Sequence, residues 1–308
     1  MESLIKPKGC SVLLKEFEGR QPEARGKRLK FTSVGDRDVY NITAPFDVDG
    51  EKVIAARVEK RDSEFSNIMF FANRGEVWEP LDGAPVFDLQ DPFITRINNE
   101  IVFGGVEVFP KESARTLLIW KTVFFRGNSI YELKRFASGP IGMKDIRLVE
   151  LSDRRIGVFT RPQGGIAGRG KIGFTIIDSL EELNEETIEN AGLIENQFAR
   201  GEWGGVNELH LLEDGRIGAL GHIAHFDNRG NRHYYSMVFT FDPVTGKSTP
   251  VKIIAVRKNF EEGEYKRKDL IDVIFSGGLI RRNDGYAELY AGVSDAEAHM
   301  IVIPDPFL

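Results

Sequence analysis

Cysteine is almost absent: Cys10 is the only one in 308 residues. A disulfide framework within the chain is therefore excluded, and a reducing compartment fits. There is no run of about 18 apolar residues, the length that a membrane-spanning helix needs. The first residues, MESLIKPKGCSVLLKEFEG, hold no apolar segment followed by a small-residue cleavage site, so no secretory leader is expected. Basic residues are in deficit, with 41 Lys and Arg against 47 Asp and Glu and a net charge of −6. That argues against a broad nucleic-acid surface, although a basic pocket for a small anion is compatible with it. The histidines at 210, 222, 225, 233 and 299 lack compact metal-ligand spacing. His222 and His225 are three apart, and a strand would point them to opposite faces. Neither a metal nor a cofactor is expected. The broad expectation is a cytoplasmic enzyme or binding protein.

What the chain does have is short apolar strands joined in pairs by polar turns. Five hairpins turn at Asp49-Gly50, Asn98-Asn99, Asp153-Arg154, Asp214-Gly215 and Asp284-Gly285, between 49 and 70 residues apart. Further strand candidates lie between them, at 66–71, 117–125, 171–177, 234–241 and 251–256. A unit of about 50 residues with about four strands is the signature of a β-propeller blade. The fold expected is all-β, a five-bladed β-propeller forming a single domain over residues 1–308. One stretch, Ser179–Phe198, reads as a short helical insertion in the third blade. The competing reading is five unrelated hairpins in a β-sandwich.

In each hairpin the start of the first strand and the end of the second lie side by side, opposite the turn. These flanks are polar. They hold Asn41, Arg57 and Glu59; Asp91 and Glu107; Lys144, Asp145 and Arg161; Asn207, Glu208 and His222; and Ser276, Asp295, Glu297 and His299. In a propeller they converge at one end of the central channel. Such a funnel suits a sugar or another polyol.

Several stretches then show a family resemblance. YNITAPFDVDGEKVIAARVE, DPFITRI, KDIRLVELSDRRIGVFTRP, GHIAHF and YAGVSDAEAH occur in the order of the corresponding motifs of glycoside hydrolase family 130, the mannoside phosphorylases. KRKDLIDVIFSGGLIRRNDG and SDAEAH resemble more closely the mannosyltransferase/phosphorylases of glycosyltransferase family 108. The resemblance implies phosphorolysis of β-1,2-linked mannose to mannose 1-phosphate, or mannosyl transfer from a nucleotide sugar. It implies that Asp91 is the proton donor, with the proton able to travel through a sugar hydroxyl. Gln90, Phe93 and Gly221 depart from the phosphorylase pattern.

The residues support the same chemistry. Asp91 is a candidate general acid, because Pro92 fixes the backbone after it and a desolvated carboxyl keeps its proton. Phosphate needs several fixed donors, and Arg57, Lys144, Arg161 and His222 are the candidates. Asn41, Glu59, Asp145, Glu208 and Asp295 are candidate sugar contacts, and Tyr40 and Trp203 could face the ring. Small-molecule carbohydrate and phosphate are the expected partners. A glycosidase would instead pair Asp91 with Glu208, and a non-catalytic carbohydrate-binding propeller is a further alternative. GRGKIG, residues 168–173, matches a dinucleotide fingerprint but precedes a strand, so it reads as a loop. KRKD at 266–269 reads as a solvated charge run.

Overall fold

The computed structural model describes residues 6–20 and 24–308, with backbone alone at 115 and 116. The strands form five blades, and the first strand of each blade contacts the first strand or hairpin of the next. Blade 1 opens with Asp38–Tyr40 and Phe46–Val48, both paired with Glu51–Glu59, and continues through Ser66–Asn73 and Val77–Pro80. Blade 2 is Gln90–Ile97, Glu100–Lys111, Ala114–Gly127 and Lys134–Ser138. Blade 3 is Arg147–Glu150, Ile156–Thr160, Gly173–Ile177 and Gly192–Leu193. Blade 4 is Trp203–Leu211, Ile217–Phe226, Arg232–Phe241 and Lys252–Ala255. Blade 5 is Asp272–Arg281, Tyr286–Val293 and Glu297–Pro304. The protein is a five-bladed β-propeller.

The fourth strand of blade 5 comes from the other end of the chain. Lys27 and Arg28 pair antiparallel with Met300 and His299. This clasp joins the N-terminal segment to the last blade and closes the ring without an open edge there.

Two departures from expectation concern helices. Cys10–Glu18 forms α1, with Cys10, Leu13 and Phe17 buried at helical spacing against blades 3 and 4. The stretch 179–198 is less helical than its apolar spacing suggests. It holds a single 3-10 turn at Leu180–Glu182 and one short helix, α2, at Glu185–Glu189. The chain then supplies Gly192–Leu193 as the outer strand of blade 3. Leu180, Leu183 and Ile188 are buried between blades 2 and 3, so packing of those side chains set the spacing.

The blades are held apart and together by apolar side chains from facing sheets. Phe70, Phe87, Phe103 and Phe125 interlock between blades 1 and 2, with ring centroids 4.8–6.4 Å apart. Phe159, Phe174 and Phe241 do the same between blades 3 and 4. Polar side chains gather instead at one end of the ring of first strands.

Candidate active site

Backbone geometry aims the site's acids. Asn41, Asp91, Asp145 and Asp295 all have left-handed backbones, with φ of 45°, 49°, 59° and 50°. Such a conformation costs on the order of 1 kcal/mol or more for a residue with a Cβ, and Asn and Asp tolerate it best. Asp91 and Pro92 lie in a β-bulge, since the register of blade 2 shifts between Gln90 and Phe93. A proline lacks an N–H, so it fits where the ladder is already broken. The bulge turns the Asp91 side chain off the strand's own face. Equivalent bulges occur in the first strands of blade 4, at Asn207, and blade 5, at Gly277.

Asp91 is buried at the hub of the first cluster. Its Oδ1 accepts a hydrogen bond from Asn41 Nδ2 at 2.8 Å and another from Arg57 at 3.1 Å. Lys144 Nζ lies 4.0 Å from its other oxygen. Burial alone would raise this carboxyl, but the charges of Arg57 and Lys144 and the donor of Asn41 outweigh it. They hold the group down at about 2. The expectation that desolvation leaves Asp91 protonated therefore does not describe the free site, where the carboxylate is ionised. Arg57 also donates to Glu59 at 2.7 Å, and its guanidinium sits 4.9 Å from the Tyr40 ring. Tyr40 donates its hydroxyl to Glu59, so it is a buried support rather than an open stacking face.

Asp295 differs from Asp91. No side chain among those described bonds or pairs with its carboxyl. Burial and the negative charge of Asp91 push it above the usual carboxylate range, against the pull of Arg57. The site thus holds one carboxyl kept ionised and a second biased toward its proton.

The second cluster spans blades 3 and 4. Arg161 lies 3.2 Å from Asp145 Oδ2 and donates Nε–H to the carbonyl of Gly204 at 2.9 Å. The Arg161–Asp145 contact is off-line, leaving Arg161 Nη1 and both Asp145 oxygens buried without a hydrogen bond. Burial would raise Asp145, but Arg161 and Lys144 hold it low. Gly205 is needed beside this pair, because a Cβ there would come within 2.8 Å of Arg161 Cδ and 2.9 Å of Asp145 Oδ2. His222 Nδ1 faces Asn207 Oδ1 at 3.0 Å, which places its proton on Nδ1. Burial pushes the His222 imidazole down to about 3, so it stands in the site as a neutral ring and not as a cation.

A consequence can be measured. The unfolded histidine titrates near 6.5, whereas the folded one stays neutral to about 3. Between these values the unfolded chain binds the extra proton, so stability is full above pH 6.5 and falls as pH drops. The loss approaches about 1.4 kcal/mol per pH unit from this group. Denaturant unfolding of His222→Gln between pH 7 and pH 4 is expected to show a flatter dependence than the unsubstituted protein. An identical slope would show that His222 is not the source.

Other flanking residues lie elsewhere. Glu107 pairs with Arg135 at 2.9 Å on the flank of blade 2 and is partly exposed. Glu208 Oε2 accepts the Leu279 N–H at 2.6 Å and lies 2.8 Å from His210, away from the Asp91 contacts. Ser276 bonds to the Gly221 carbonyl. Glu297 and His299 contact each other at 3.1 Å, and Glu297 holds Arg28 of the clasp at 2.8 Å.

Three residues of the site were not singled out by sequence reasoning. Lys266 lies in the run read as solvated, yet its side chain is 4% exposed and its Nζ sits 3.0 Å from Glu59 Oε1. Arg147 is buried, donates to the Asn207 carbonyl at 2.7 Å and covers Phe93 at 4.3 Å. Its signal was a lone cation inside the apolar run DIRLVEL. Arg169 lies over Trp203 and Phe226 at the rim, and Trp203 is buried beneath it. Among the described residues no group of three or more His, Cys, Asp or Glu could hold a metal ion, and no helix is long and apolar enough to cross a membrane.

With this geometry in view, comparison with known proteins is informative. A protein family described as "Protein of unknown function (DUF1861)" matches residues 15–308. The chain belongs to the DUF1861 family. A search of curated proteins finds no match. Among solved structures, a mannose phosphorylase from Leishmania mexicana in complex with a phosphate ion is 35% identical. The alignment covers 96% of this chain and 93% of that one, with a TM-score of 0.89. A GDP-Man-dependent mannosyltransferase from the same organism is 34% identical over 97% of this chain and 94% of its own, with a TM-score of 0.88. A β-1,2-mannobiose phosphorylase from Listeria innocua is 12% identical over 88% and 91% of the two chains. Its TM-score of 0.63 makes it a likeness of fold.

Proposed function

We propose that this DUF1861 protein is a mannoside phosphorylase, acting on β-1,2-linked mannose with inversion, and that residues 1–308 work as one propeller domain. One arrangement carries the reading. Lys144 lies 4.0 Å from the buried Asp91, and with Arg161 it lines an open cleft of about 590 Å³. A proton-carrying group and an anion-binding floor therefore meet at one cation. The relative bound to phosphate supports the anionic half of the reading.

In this reading phosphate rests on Lys144 and Arg161 and attacks the anomeric carbon as the glycosidic bond breaks. The departing oxygen takes a proton from Asp91. Asn41, Glu59, Asp145 and Asp295 surround the sugar, and neutral His222 contributes a ring and an acceptor nitrogen rather than charge. Asp91 must first acquire its proton. An anion beside Lys144 offsets one of the two cations that, with Arg57 the stronger, keep Asp91 ionised, so its pKa rises when phosphate binds. Phosphate binding thereby favours uptake of a proton from solvent by the Asp91 carboxylate, and the neutral acid then gives that proton to the departing oxygen. The glycosidase alternative gains no support, since Glu208 is already engaged with Leu279 and His210.

The deciding experiment incubates the purified protein with β-1,2-mannobiose, with and without inorganic phosphate, and follows anomers by proton NMR. Phosphate-dependent release of α-mannose 1-phosphate is the expected result. Free mannose without a phosphate requirement would overturn it in favour of hydrolysis. The linkage between anion and proton has its own test, with sulfate as an anion that does not titrate near pH 5. Calorimetry in two buffers of different ionisation enthalpy is expected to show proton uptake on sulfate binding, absent in Asp91→Asn. Equal uptake in both proteins would rule out Asp91 as the acceptor.

A further inference from the structure

Arg147 is a buried cation, and no carboxylate among the described residues pairs with it. Its guanidinium touches three blades. It belongs to the first strand of blade 3, lies over the Phe93 ring of blade 2 at 4.3 Å and donates Nε–H to the Asn207 carbonyl of blade 4 at 2.7 Å. Nη1 turns back to the carbonyl of Ile146 at 2.9 Å. Burial pushes its proton affinity down, and the charges of Asp145, Asp91 and Glu208 offset that only in part. An apolar side chain of similar volume would fill the place at less cost to stability.

What Arg147 holds is a bulge. Val206 pairs with Gly221 and Glu208 with Leu220, so Asn207 is left out of the ladder of blade 4. Its buried carbonyl depends on Arg147 for a donor. The side chain of the same residue faces His222, with Oδ1 3.0 Å from Nδ1. The other ring nitrogen, Nε2, faces a competing acceptor, Asp145 Oδ2, at 4.0 Å. That oxygen has no hydrogen bond of its own. The Tyr234 ring stacks on the imidazole at 5.2 Å and fixes its plane. Burial first, then the cations Arg161, Lys144 and Arg147, keep the ring neutral against the pull of Asp145. His222 therefore stands between two acceptors with one proton to give. A free neutral imidazole favours the proton on Nε2. Asn207 reverses that preference while its amide faces Nδ1, and Arg147 pins the backbone that carries the amide.

We propose that Arg147 is a positioning residue that sets the tautomer of His222, holding the proton on Nδ1 and leaving Nε2 as an acceptor toward the anion floor. This deepens the proposed function and rests on it only where an anion is the ligand. An acceptor nitrogen can receive the P–OH of monohydrogen phosphate. Sulfate at neutral pH has no proton to offer, so the tautomer gives the floor a preference between two anions of similar shape.

The test is heteronuclear NMR at pH 7 on the full chain, with 15N-labelled histidine, for the unsubstituted protein, Arg147→Met and Arg147→Lys. His222→Gln identifies the His222 signals among the five histidines. The Nδ1–H form is expected in the unsubstituted protein. Arg147→Met should carry most of the proton on Nε2, toward Asp145, and Arg147→Lys should give a mixture, since an ammonium lacks the planar fork. Calorimetric titration is expected to show orthophosphate binding about tenfold tighter than sulfate, the worth of one hydrogen bond. In Arg147→Met that ratio should fall to within about threefold. An Nε2–H form in the unsubstituted protein would overturn the proposal, as would an unchanged Nδ1–H form in folded Arg147→Met. Should Arg147→Met fail to fold, Arg147→Lys decides, and a tautomer identical to the unsubstituted one would then refute it. A switched tautomer with an unchanged anion ratio would sustain the inference and remove His222 from the anion floor of the proposed function.

Discussion

Asp91→Asn is expected to lower kcat for phosphorolysis by about 10²–10⁴-fold, the usual worth of a positioned acid. The substitution keeps the shape of the side chain. Its amide oxygen can still accept from Asn41 Nδ2 and Arg57, the two donors that Asp91 Oδ1 holds at 2.8 and 3.1 Å. It cannot carry the proton, and it presents an amide where Lys144 meets a carboxylate at 4.0 Å. Lys144 loses a competing anion, so phosphate affinity should be retained or improved while turnover disappears. Steady-state rates with β-1,2-mannobiose beside direct phosphate titration separate the two effects. A loss of kcat under fivefold would remove Asp91 from the chemistry. A thermal melt run in parallel shows whether the substituted protein remains folded.

The second large effect is on stability. Lys266→Met should cost about 3 kcal/mol, at the lower end of the usual 3–5 for removing one partner of a buried ion pair. Lys266 brings its ammonium to within 3.0 Å of Glu59, which is 1% exposed. Glu59 keeps Arg57 and Tyr40 as partners, which limits the loss. The double substitution Lys266→Met/Glu59→Gln should cost clearly less than the sum of the single changes, because the groups contact each other. Urea unfolding provides the numbers. A cost below about 1 kcal/mol for Lys266→Met would mean that the pair behaves as a surface bridge. The same substitution should loosen the Arg57–Asp91 arrangement, since Glu59 anchors that guanidinium at 2.7 Å. A fall in phosphorolysis is therefore expected even where the protein is fully folded.

Much of the fold is readable because a hairpin is local. Asp49-Gly50, Asp214-Gly215 and Asp284-Gly285 sit at turns with their glycines at φ of 80–86°, and alternating apolar residues mark the flanking strands. Asp91-Pro92 reads as a break in a strand for the same reason: the missing N–H is a property of the residue itself. The N-terminal clasp escapes such reading, since Lys27 and Arg28 meet His299 and Met300 from the opposite end of the chain. The helix α1 is short, and what holds its Cys10, Leu13 and Phe17 is a groove built by blades 3 and 4. Lys266 looks solvated in a run of charges because its partner Glu59 lies 207 residues away.

By itself the sequence determined how many hairpins there are, where they turn, and which residue types crowd the end opposite the turns. Those depend on backbone preference and side-chain alternation over a few neighbouring residues. Only the tertiary structure decided the state of those groups: Asp91 ionised, Asp295 biased toward its proton, His222 neutral and Lys266 buried. Charge state depends on desolvation and on the separation of charges across blades, and both come into existence only when the ring closes.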